Sequence, residues 1–279
     1  PYGTWIIRKI ESPKGYVLSE EEIAVTIGKV DEVVEIELVN YFIKGNIALT
    51  KVDEDYPDNK LSGAVFEVYS DTNGDGKLDN DDTLLGEMKE LDGGVYQMSE
   101  LRYGKYLVKE TKAPTGFVLD EDVYAVSIEE NGKTYTVENK AGVGFINAAQ
   151  KGSLKIVKTS SDGKVEGFSF RVTGVDYDQT FKTDKNGEIV IEGLRIGDYT
   201  VSEVSDKASA GYILPADKQV TVKVNATAIV QMHNEFRDTP KTGDDFNLGL
   251  WVSLAALSVV GAGVLGFVGY KNRKKKKED

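Results

Sequence analysis

Internal repetition is the feature of this 279-residue sequence that most constrains its fold. The segment YGTWIIRKIESPKGYVL from Tyr2 aligns with YGKYLVKETKAPTGFVL from Tyr103 and with IGDYTVSEVSDKASAGYIL from Ile196. A second pair, GNIALTKVD from Gly45 and GSLKIVKTS from Gly152, precedes the latter two segments. Repetition of this kind indicates one structural unit used several times. We therefore predict the C-terminal part of one domain at residues 1–43, a whole domain at 44–149 and a second whole domain at 150–236.

The residues within each repeat predict strands rather than helices. Short runs of alternating polarity are separated by turns at Asn131, Asp162 and Asn186, each followed by glycine. This is the pattern of antiparallel strands joined by tight turns. Apart from one apolar span near the C-terminus, no segment has a convincing helical periodicity. We therefore predict an all-β protein of tandem Ig-like antiparallel β-sandwiches, followed by one C-terminal transmembrane helix.

Three polar residues in each whole domain break the strand pattern because they share a face with core residues. Side chains alternate between the two faces of a strand, so Lys51 lies in line with Ile47 and Leu49. The same alternation turns a glutamate and an asparagine inward on later strands, and the pattern recurs in the next domain. The six residues are Lys51, Glu110 and Asn147 in the middle domain and Lys158, Glu203 and Asn234 in the last.

Residue types alone leave two interpretations of these inward-facing groups open. An ammonium, a carboxylate and an amide are costly to bury without partners, so they could form a hydrogen-bonded triad or lie at strand ends that reach solvent. Alternatively, a desolvated lysine loses its proton and becomes a nucleophile. A glutamate with a raised pKa would then move protons while the amine attacks the asparagine carboxamide. Ammonia would leave, and an amide cross-link would remain.

The segments GNIALTKVD, LSGAVFEVYS and YGKYLVKETKAPTGFVLD resemble the collagen-adhesin B-type (Cna B, SpaA-type) domains of Gram-positive pilins and adhesins. The resemblance covers roughly residues 1–236 and is stronger for the middle domain. It implies intramolecular Lys–Asn isopeptide bonds that form with the help of a catalytic acid. Position by position, the implied cross-links are Lys51–Asn147 and Lys158–Asn234, and the implied catalytic residues are Glu110 and Glu203.

Two nearby positions receive a different interpretation. In the incomplete first unit, Lys9 takes the position of the glutamate while Asn40 keeps that of the asparagine. The partner lysine would lie upstream of Pro1, so we predict no bond in this unit. His233 alternates to the outer face of its strand and is expected to be an ordinary surface residue.

The C-terminal region has the composition of a membrane-spanning segment. Residues 246–270 form a run of 25 without a charge, with Trp251 and Tyr270 near its ends, and KNRKKKKED follows at 271–279. Such a run is long enough to cross a bilayer as a helix. The basic residues after it predict a cytoplasmic tail. Considered alone, this pattern favours a permanent membrane anchor.

A short motif in the linker at 237–245 changes that interpretation. Its residues are Thr239, Pro240, Lys241, Thr242 and Gly243. Together with the apolar span and the basic tail, they resemble the LPXTG sorting signal of Gram-positive surface proteins, with threonine in place of the usual leucine. The resemblance implies that a sortase cleaves between Thr242 and Gly243. The enzyme would then join Thr242 to peptidoglycan or to another pilin subunit, and the membrane span would be transient.

An acidic segment in the middle domain has the ligand spacing of an EF-hand calcium loop. The residues at the ligand positions are Asp71, Asn73, Asp75, Lys77 (through its carbonyl), Asp79 and Asp82. The flanking segments are predicted strands, so the loop would not lie between helices. The alternative is a polar hairpin loop without a metal. No cofactor is required, and Ca²⁺ is the one ion that the sequence suggests.

Charge and composition exclude several classes of protein. The net charge is −12, which disfavours nucleic acid as a partner. The chain has no cysteine and one histidine, so neither a disulfide framework nor a thiolate metal site is available. We find no Ser/His/Asp set, nucleotide-binding glycine loop or catalytic metal cluster. The sequence therefore does not predict an enzyme, apart from the single-turnover formation of its own bonds.

Together these features predict a secreted, peptidoglycan-anchored surface protein, either a pilin subunit or an adhesin stalk. Because the chain starts at Pro1 without an initiator methionine, we expect it to derive from a longer precursor. Domains upstream of Pro1 would then bind a host or cell-surface ligand. The alternative is a wall-anchored enzyme whose catalytic domain lies upstream, with these domains as its spacer.

Overall fold

The computed structural model describes residues 2–237 of the chain. Within that range every regular element is a strand, so the all-β prediction is confirmed. No helix in residues 2–237 has the length and apolarity needed to cross a membrane. The predicted transmembrane helix at 246–270, the sorting motif at 239–243 and the basic tail lie outside the described residues.

The first unit is a two-stranded antiparallel ribbon. Strand β1 (Gly3–Arg8) pairs with β2 (Glu22–Ile27) along their whole length. Several of its large apolar side chains, including Trp5 and Ile6, are exposed, although Val25 is buried. A two-stranded ribbon cannot cover its own apolar face. That this unit is the C-terminal part of a domain stays a prediction.

The middle unit is a sandwich of two sheets. One sheet has the order β10-β3-β7-β6, with β11 also paired to β3, and the other has the order β5-β4-β8-β9. The strands are β3 (Lys44–Asp53), β4 (Val65–Ser70), β5 (Thr83–Glu87), β6 (Lys89–Glu90), β7 (Val95–Arg102), β8 (Gly104–Lys112), β9 (Val123–Ile128), β10 (Thr134–Thr136) and β11 (Phe145–Asn147).

The last unit repeats this architecture. Its sheets have the orders β15-β12-β19-β17 and β14-β13-β16-β18. The strands are β12 (Lys151–Ser160), β13 (Ser169–Gly174), β14 (Tyr177–Lys182), β15 (Glu188–Arg195), β16 (Gly197–Val204), β17 (Tyr212–Ile213), β18 (Lys218–Val222) and β19 (Thr227–Phe236).

The prediction of antiparallel sheets is confirmed for most strand pairs, but the first strand of each sandwich also has parallel partners. The first and last strands of a unit are neighbours and run parallel, as β3–β11 and as β12–β19, and the short strand β10 is also parallel to β3. Alternation of polarity reports which face a residue occupies but carries no information about strand direction.

A separate apolar core lies between the two sheets of each sandwich. In the middle unit, the ring of Phe145 packs edge-to-face on Phe66 and Tyr124, with centroids 4.9 and 5.1 Å apart. In the last unit, Phe168 packs on Tyr212 in the same manner at 5.3 Å. Such pairs add to the stability gained from burial. They also surround the inward-facing lysines with apolar atoms.

The glycine that opens each whole-domain repeat marks a close backbone approach. A Cβ at Gly45 would lie 2.8 Å from the carbonyl oxygen of Lys133. At Gly152 it would lie 2.9 Å from the carbonyl oxygen of Ala226 and would also collide with that of Lys223. A backbone carbonyl cannot move aside easily, so only glycine fits at these positions.

We expect Gly152→Ala to destabilise the last domain by about 1–3 kcal/mol because it overpacks this contact. The measurement is calorimetric unfolding of the variant chain against the parent. Gly104→Ala is the matched control, since the nearest atom to its new Cβ would be 3.7 Å away. Equal transition temperatures for Gly152→Ala and the parent would show that the close approach is not a constraint.

Candidate cross-linking sites

Lys51 lies in the core of the middle domain rather than at its surface. It continues the inward-facing row of Ile47 and Leu49 on β3, and it is fully buried. Its Nζ donates a hydrogen bond to the carbonyl oxygen of Phe145 at 3.0 Å and lies 5.2 Å from the centre of the Phe145 ring. The ammonium is therefore removed from water and held against the strand that carries Asn147.

Glu110 and Asn147 meet in the same buried space. The side-chain Nδ2 of Asn147 donates to both carboxyl oxygens of Glu110 at 2.9 Å. Both residues are buried, and the backbone N–H of Asp120 donates to Glu110 Oε2 at 2.8 Å. The Oδ1 atom of Asn147 is buried without a hydrogen-bond partner. A buried carbonyl without a donor is uncommon and calls for an explanation.

Strand register places Lys51 within reach of Asn147. Lys51 is paired with Phe145 across the parallel β3–β11 ladder, and Asn147 follows two residues later on the same face. Adjacent strands are about 4.8 Å apart, so a lysine side chain spans the diagonal between these positions. The predicted triad is thus brought together by the strand pairing that polarity patterns did not reveal.

Burial changes the ionisation of both titratable members of this triad. It lowers the pKa of Lys51 to about 8, although the carboxylates of Glu110, Asp120 and Asp53 act in the opposite direction. It raises the pKa of Glu110 above its usual value, even though hydrogen bonds from Asp120 and Asn147 favour the carboxylate. The site therefore shifts towards a neutral amine beside a neutral acid, the pair that nucleophilic attack on a carboxamide requires.

A second hydrogen-bond network holds strand β11 in place. The side chain of Asn139 accepts a bond from the Ile146 N–H at 2.6 Å and donates to the Ile146 carbonyl at 2.8 Å. Its Nδ2 also donates to Asp120 Oδ2 at 2.7 Å, and the Tyr124 hydroxyl donates to the same oxygen at 2.9 Å. Asn139 thus replaces a strand partner for the residue before Asn147. Sequence reasoning missed this residue because it lies in a loop and carries no periodic signal.

The last domain has an equivalent triad. Lys158 is buried, donates to the Thr159 carbonyl and lies 4.4 Å from the centre of the Phe168 ring. Asn234 Nδ2 donates to Glu203 Oε1 at 2.6 Å, and both Asn234 Oδ1 and Glu203 Oε2 are buried without partners. Burial lowers the pKa of Lys158 and raises that of Glu203.

The structure also places His233 and Lys9, the two residues that the sequence set apart from the triads. His233 is half-exposed and contacts Thr159 Oγ1 at 2.8 Å and Glu235 Oε1 at 3.1 Å. In the first unit, Lys9 Nζ donates to Asn40 Oδ1. Both of these residues are accessible to solvent, unlike the triads of the two sandwiches. The absence of a bond in this unit stays a prediction.

The acidic loop between β4 and β5 is folded on its own hydrogen bonds. Asp71 accepts bonds from the N–H groups of Gly74 and Gly76 at 2.7 and 3.2 Å. Asp82 accepts from the N–H groups of Thr72 and Asp79 at 3.1 and 2.9 Å. Within residues 2–237 no three Asp, Glu, His or Cys side chains are grouped as a metal site. Calcium binding through Asp71, Asn73, Asp75, Lys77, Asp79 and Asp82 stays a prediction.

Comparison with known proteins agrees with this architecture. The model of the SpaA family, described as a prealbumin-like fold domain, matches residues 45–141 and 152–236. These matches cover more than half of the chain. The chain belongs to the SpaA family.

Solved structures provide further similarities. The chain is similar to the Bacillus anthracis TIE protein, with 27% identity and a TM-score of 0.64 over 85% of this chain and 42% of that one. It therefore spans less than half the length of that protein. It is also similar to a minor pilin of Streptococcus agalactiae (16% identity, TM-score 0.32, covering 72% of this chain and 99% of that one). No curated protein matches the chain significantly.

We expect Asn139→Ala to destabilise the middle domain by about 1–3 kcal/mol, because it leaves both backbone groups of Ile146 without their partner. The transition temperature of the chain would be measured by calorimetry, with Asn80→Ala in the exposed acidic loop as the matched control. A variant as stable as the control would show that Asn139 does not hold β11.

Proposed function

We propose that this chain is a stalk segment of a cell-wall-anchored pilin or adhesin, cross-linked by one isopeptide bond in each sandwich. The observation that carries the proposal is the buried triad of lysine, acid and asparagine that occurs in both domains, with an asparagine carbonyl left unpartnered each time. Family membership supports the same conclusion.

The proposed chemistry balances without a cofactor. The neutral amine of Lys51 attacks the side-chain carbonyl carbon of Asn147. For this step the carboxamide turns about its Cβ–Cγ bond, so that its oxygen replaces its nitrogen beside Glu110 and accepts the proton of the neutral acid. The Glu110 carboxylate then takes a proton from the attacking nitrogen and passes it to the departing nitrogen. As the intermediate collapses, the hydroxyl proton returns to Glu110 and the carbonyl re-forms. One C–N bond forms, one C–N bond breaks, and ammonia is released. Lys158, Glu203 and Asn234 have the corresponding roles in the last domain. Each site reacts once, so the chain is not an enzyme in the usual sense.

Such bonds suit a stalk because of where they connect the chain. Each would join the first strand of a domain to its parallel neighbour, the last strand. A link that closes a loop of roughly 100 residues is worth about 4.7 kcal/mol in the loop-entropy model developed for disulfides. The chain has no cysteine, so disulfides cannot supply this stabilisation.

The proposed bonds can be tested by the intact mass of the denatured chain. We expect the mass of the parent to be lower than that of its sequence by two ammonia molecules. Glu110→Ala and Glu203→Ala should each lack one of the two bonds, so the mass of each variant should be lower than that of its own sequence by only one ammonia molecule. Glu129→Ala is the matched control, since this glutamate is exposed and remote from both triads. Peptide mapping would identify the joined residues. A parent mass equal to the sequence mass would leave two unreacted hydrogen-bonded triads and would contradict the proposal.

Anchoring to the wall is proposed from the sequence motif at 239–243, which supports sortase as a partner and peptidoglycan or a pilin subunit as the acceptor. We expect Thr242→Ala to remain in the membrane fraction of a Gram-positive host, whereas the parent is recovered covalently in the wall fraction. Thr239→Ala tests the contribution of the residue that replaces leucine. If parent and Thr242→Ala both stay in the membrane fraction, the apolar span is a permanent anchor.

An enzyme spacer remains the second candidate function, since stalk domains also suit that role. No feature of residues 2–237 favours it over a pilin or adhesin.

A further inference from the structure

The middle and last domains are joined by a buried ion pair that neither triad uses. Arg195, at the end of β15, donates from Nη1 to Asp53 Oδ2 at 2.6 Å and from Nη2 to Asp53 Oδ1 at 2.8 Å. It also donates to Asp55 Oδ2 at 3.0 Å. The side chains of Arg195 and Asp53 are 13% and 3% exposed. This two-point contact is the strongest kind of ion pair that arginine makes.

Asp53 connects this joint to the triad of the middle domain. It is the last residue of β3 and shares a face with Lys51, two residues earlier. Across the parallel ladder it is paired with Asn147. The next residue, Glu54, donates its N–H to the Asn147 carbonyl at 3.1 Å. The carboxylate that receives Arg195 is therefore a neighbour of both residues in the proposed bond.

The carboxyl groups around Lys51, including Asp53, affect the ionisation of its amine. Three carboxyl groups face it, namely Glu110 on β8, Asp120 in the following loop and Asp53 on its own strand, and all three favour the charged ammonium. Burial would raise the pKa of Asp53, but the bonds from Arg195 and from the N–H of Asp55 hold it below its usual value. Asp53 thus stays ionised and acts on Lys51. Its charge would act more strongly on the ammonium if Arg195 were not paired with it.

We propose that Arg195 is a positioning residue for the Lys51–Asn147 bond: by pairing with Asp53 it lets the middle domain cross-link efficiently only when the last domain has docked against it. This inference rests on the proposed function. It assigns to the last domain a part in the maturation of its neighbour.

The repeat supports the assignment. The segments LRYG and LRIG place Arg102 at the position equivalent to Arg195. Arg102 lies at the preceding joint, with its guanidinium 4.1 Å from the centre of the Phe42 ring. By contrast, the position equivalent to Asp53 in the last domain is Ser160, which carries no charge. The Lys158–Asn234 bond should therefore be independent of any such arginine, and it provides an internal reference.

The test follows both bonds in the full chain during cell-free synthesis. Samples taken over time are denatured and digested, and the cross-linked fraction is measured for each pair of residues. We expect Arg195→Gln to slow formation of the Lys51–Asn147 bond about three- to tenfold at neutral pH, since one pKa unit changes the neutral amine fraction about tenfold. The Lys158–Asn234 bond should form at the parental rate, which also reports that the last domain has folded.

One further variant and a change of pH separate an effect of charge from an effect of docking. Adding Asp53→Asn to Arg195→Gln removes the uncompensated carboxylate, so the rate should return towards that of the parent. Raising the pH should also restore the rate of Arg195→Gln, because it deprotonates Lys51. Arg171→Gln is the matched control, since Arg171 makes an exposed ion pair with Asp178 within the last domain.

Each outcome decides the matter. Equal rates of Lys51–Asn147 bond formation in the parent and Arg195→Gln would overturn the role of Arg195 and leave the proposed function standing. A slow Arg195→Gln that neither Asp53→Asn nor higher pH rescues would overturn the charge mechanism. A parent without either cross-link would overturn the proposed function, and this inference with it.

Discussion

The parallel pairing of the first and last strands organises each sandwich. In an antiparallel arrangement the two strands would run in opposite directions, and the residues that follow Lys51 would lie beside residues that precede their partners on the last strand. Because β3 and β11 run the same way, a fixed diagonal separates the lysine from the asparagine. The same relation holds between β12 and β19. The geometry of the two triads, the position of Asp53 and the short exit to the next domain all follow from that one choice of strand direction.

The apolar core affects the ionisation of the lysine and the glutamate in each triad. Phe145 and Phe168 lie against the amines of Lys51 and Lys158, and both lysines are buried. An ion pair at this depth is expensive to desolvate. Loss of the lysine proton and gain of a proton by the glutamate relieve that cost. The packing that stabilises each domain therefore also lowers the pKa of its lysine, so the two properties cannot be tuned separately.

Much of this architecture could be predicted from the sequence, and the exceptions have identifiable causes. Alternation of polarity predicted the strands and the inward orientation of Lys51, Glu110 and Asn147. It could do so because the face on which a side chain lies is a local property that repeats every two residues. Strand direction is not local, so the parallel pairs were missed. Asn139 was missed for a related reason, since a loop side chain that bonds to a strand backbone leaves no pattern. The pairing of Arg195 with Asp53 joins residues on different domains, and no periodicity within either domain encodes it.

The connection between the last strand of the middle domain and the first strand of the next domain is short. Strand β11 ends at Asn147 and β12 begins at Lys151, so the last strand of one sandwich leads almost immediately into the first strand of the next. If the proposed bonds are in place, the shortest covalent path along the stalk passes from Lys51 to Asn147 and then onward, and it bypasses nearly everything in between. The hairpins and the acidic loop become side branches of that path. A protease that cut such a branch would leave the two ends of the stalk connected, and insertions there would not lengthen it. With both bonds formed, the length and the integrity of these loops would not change the reach of the chain.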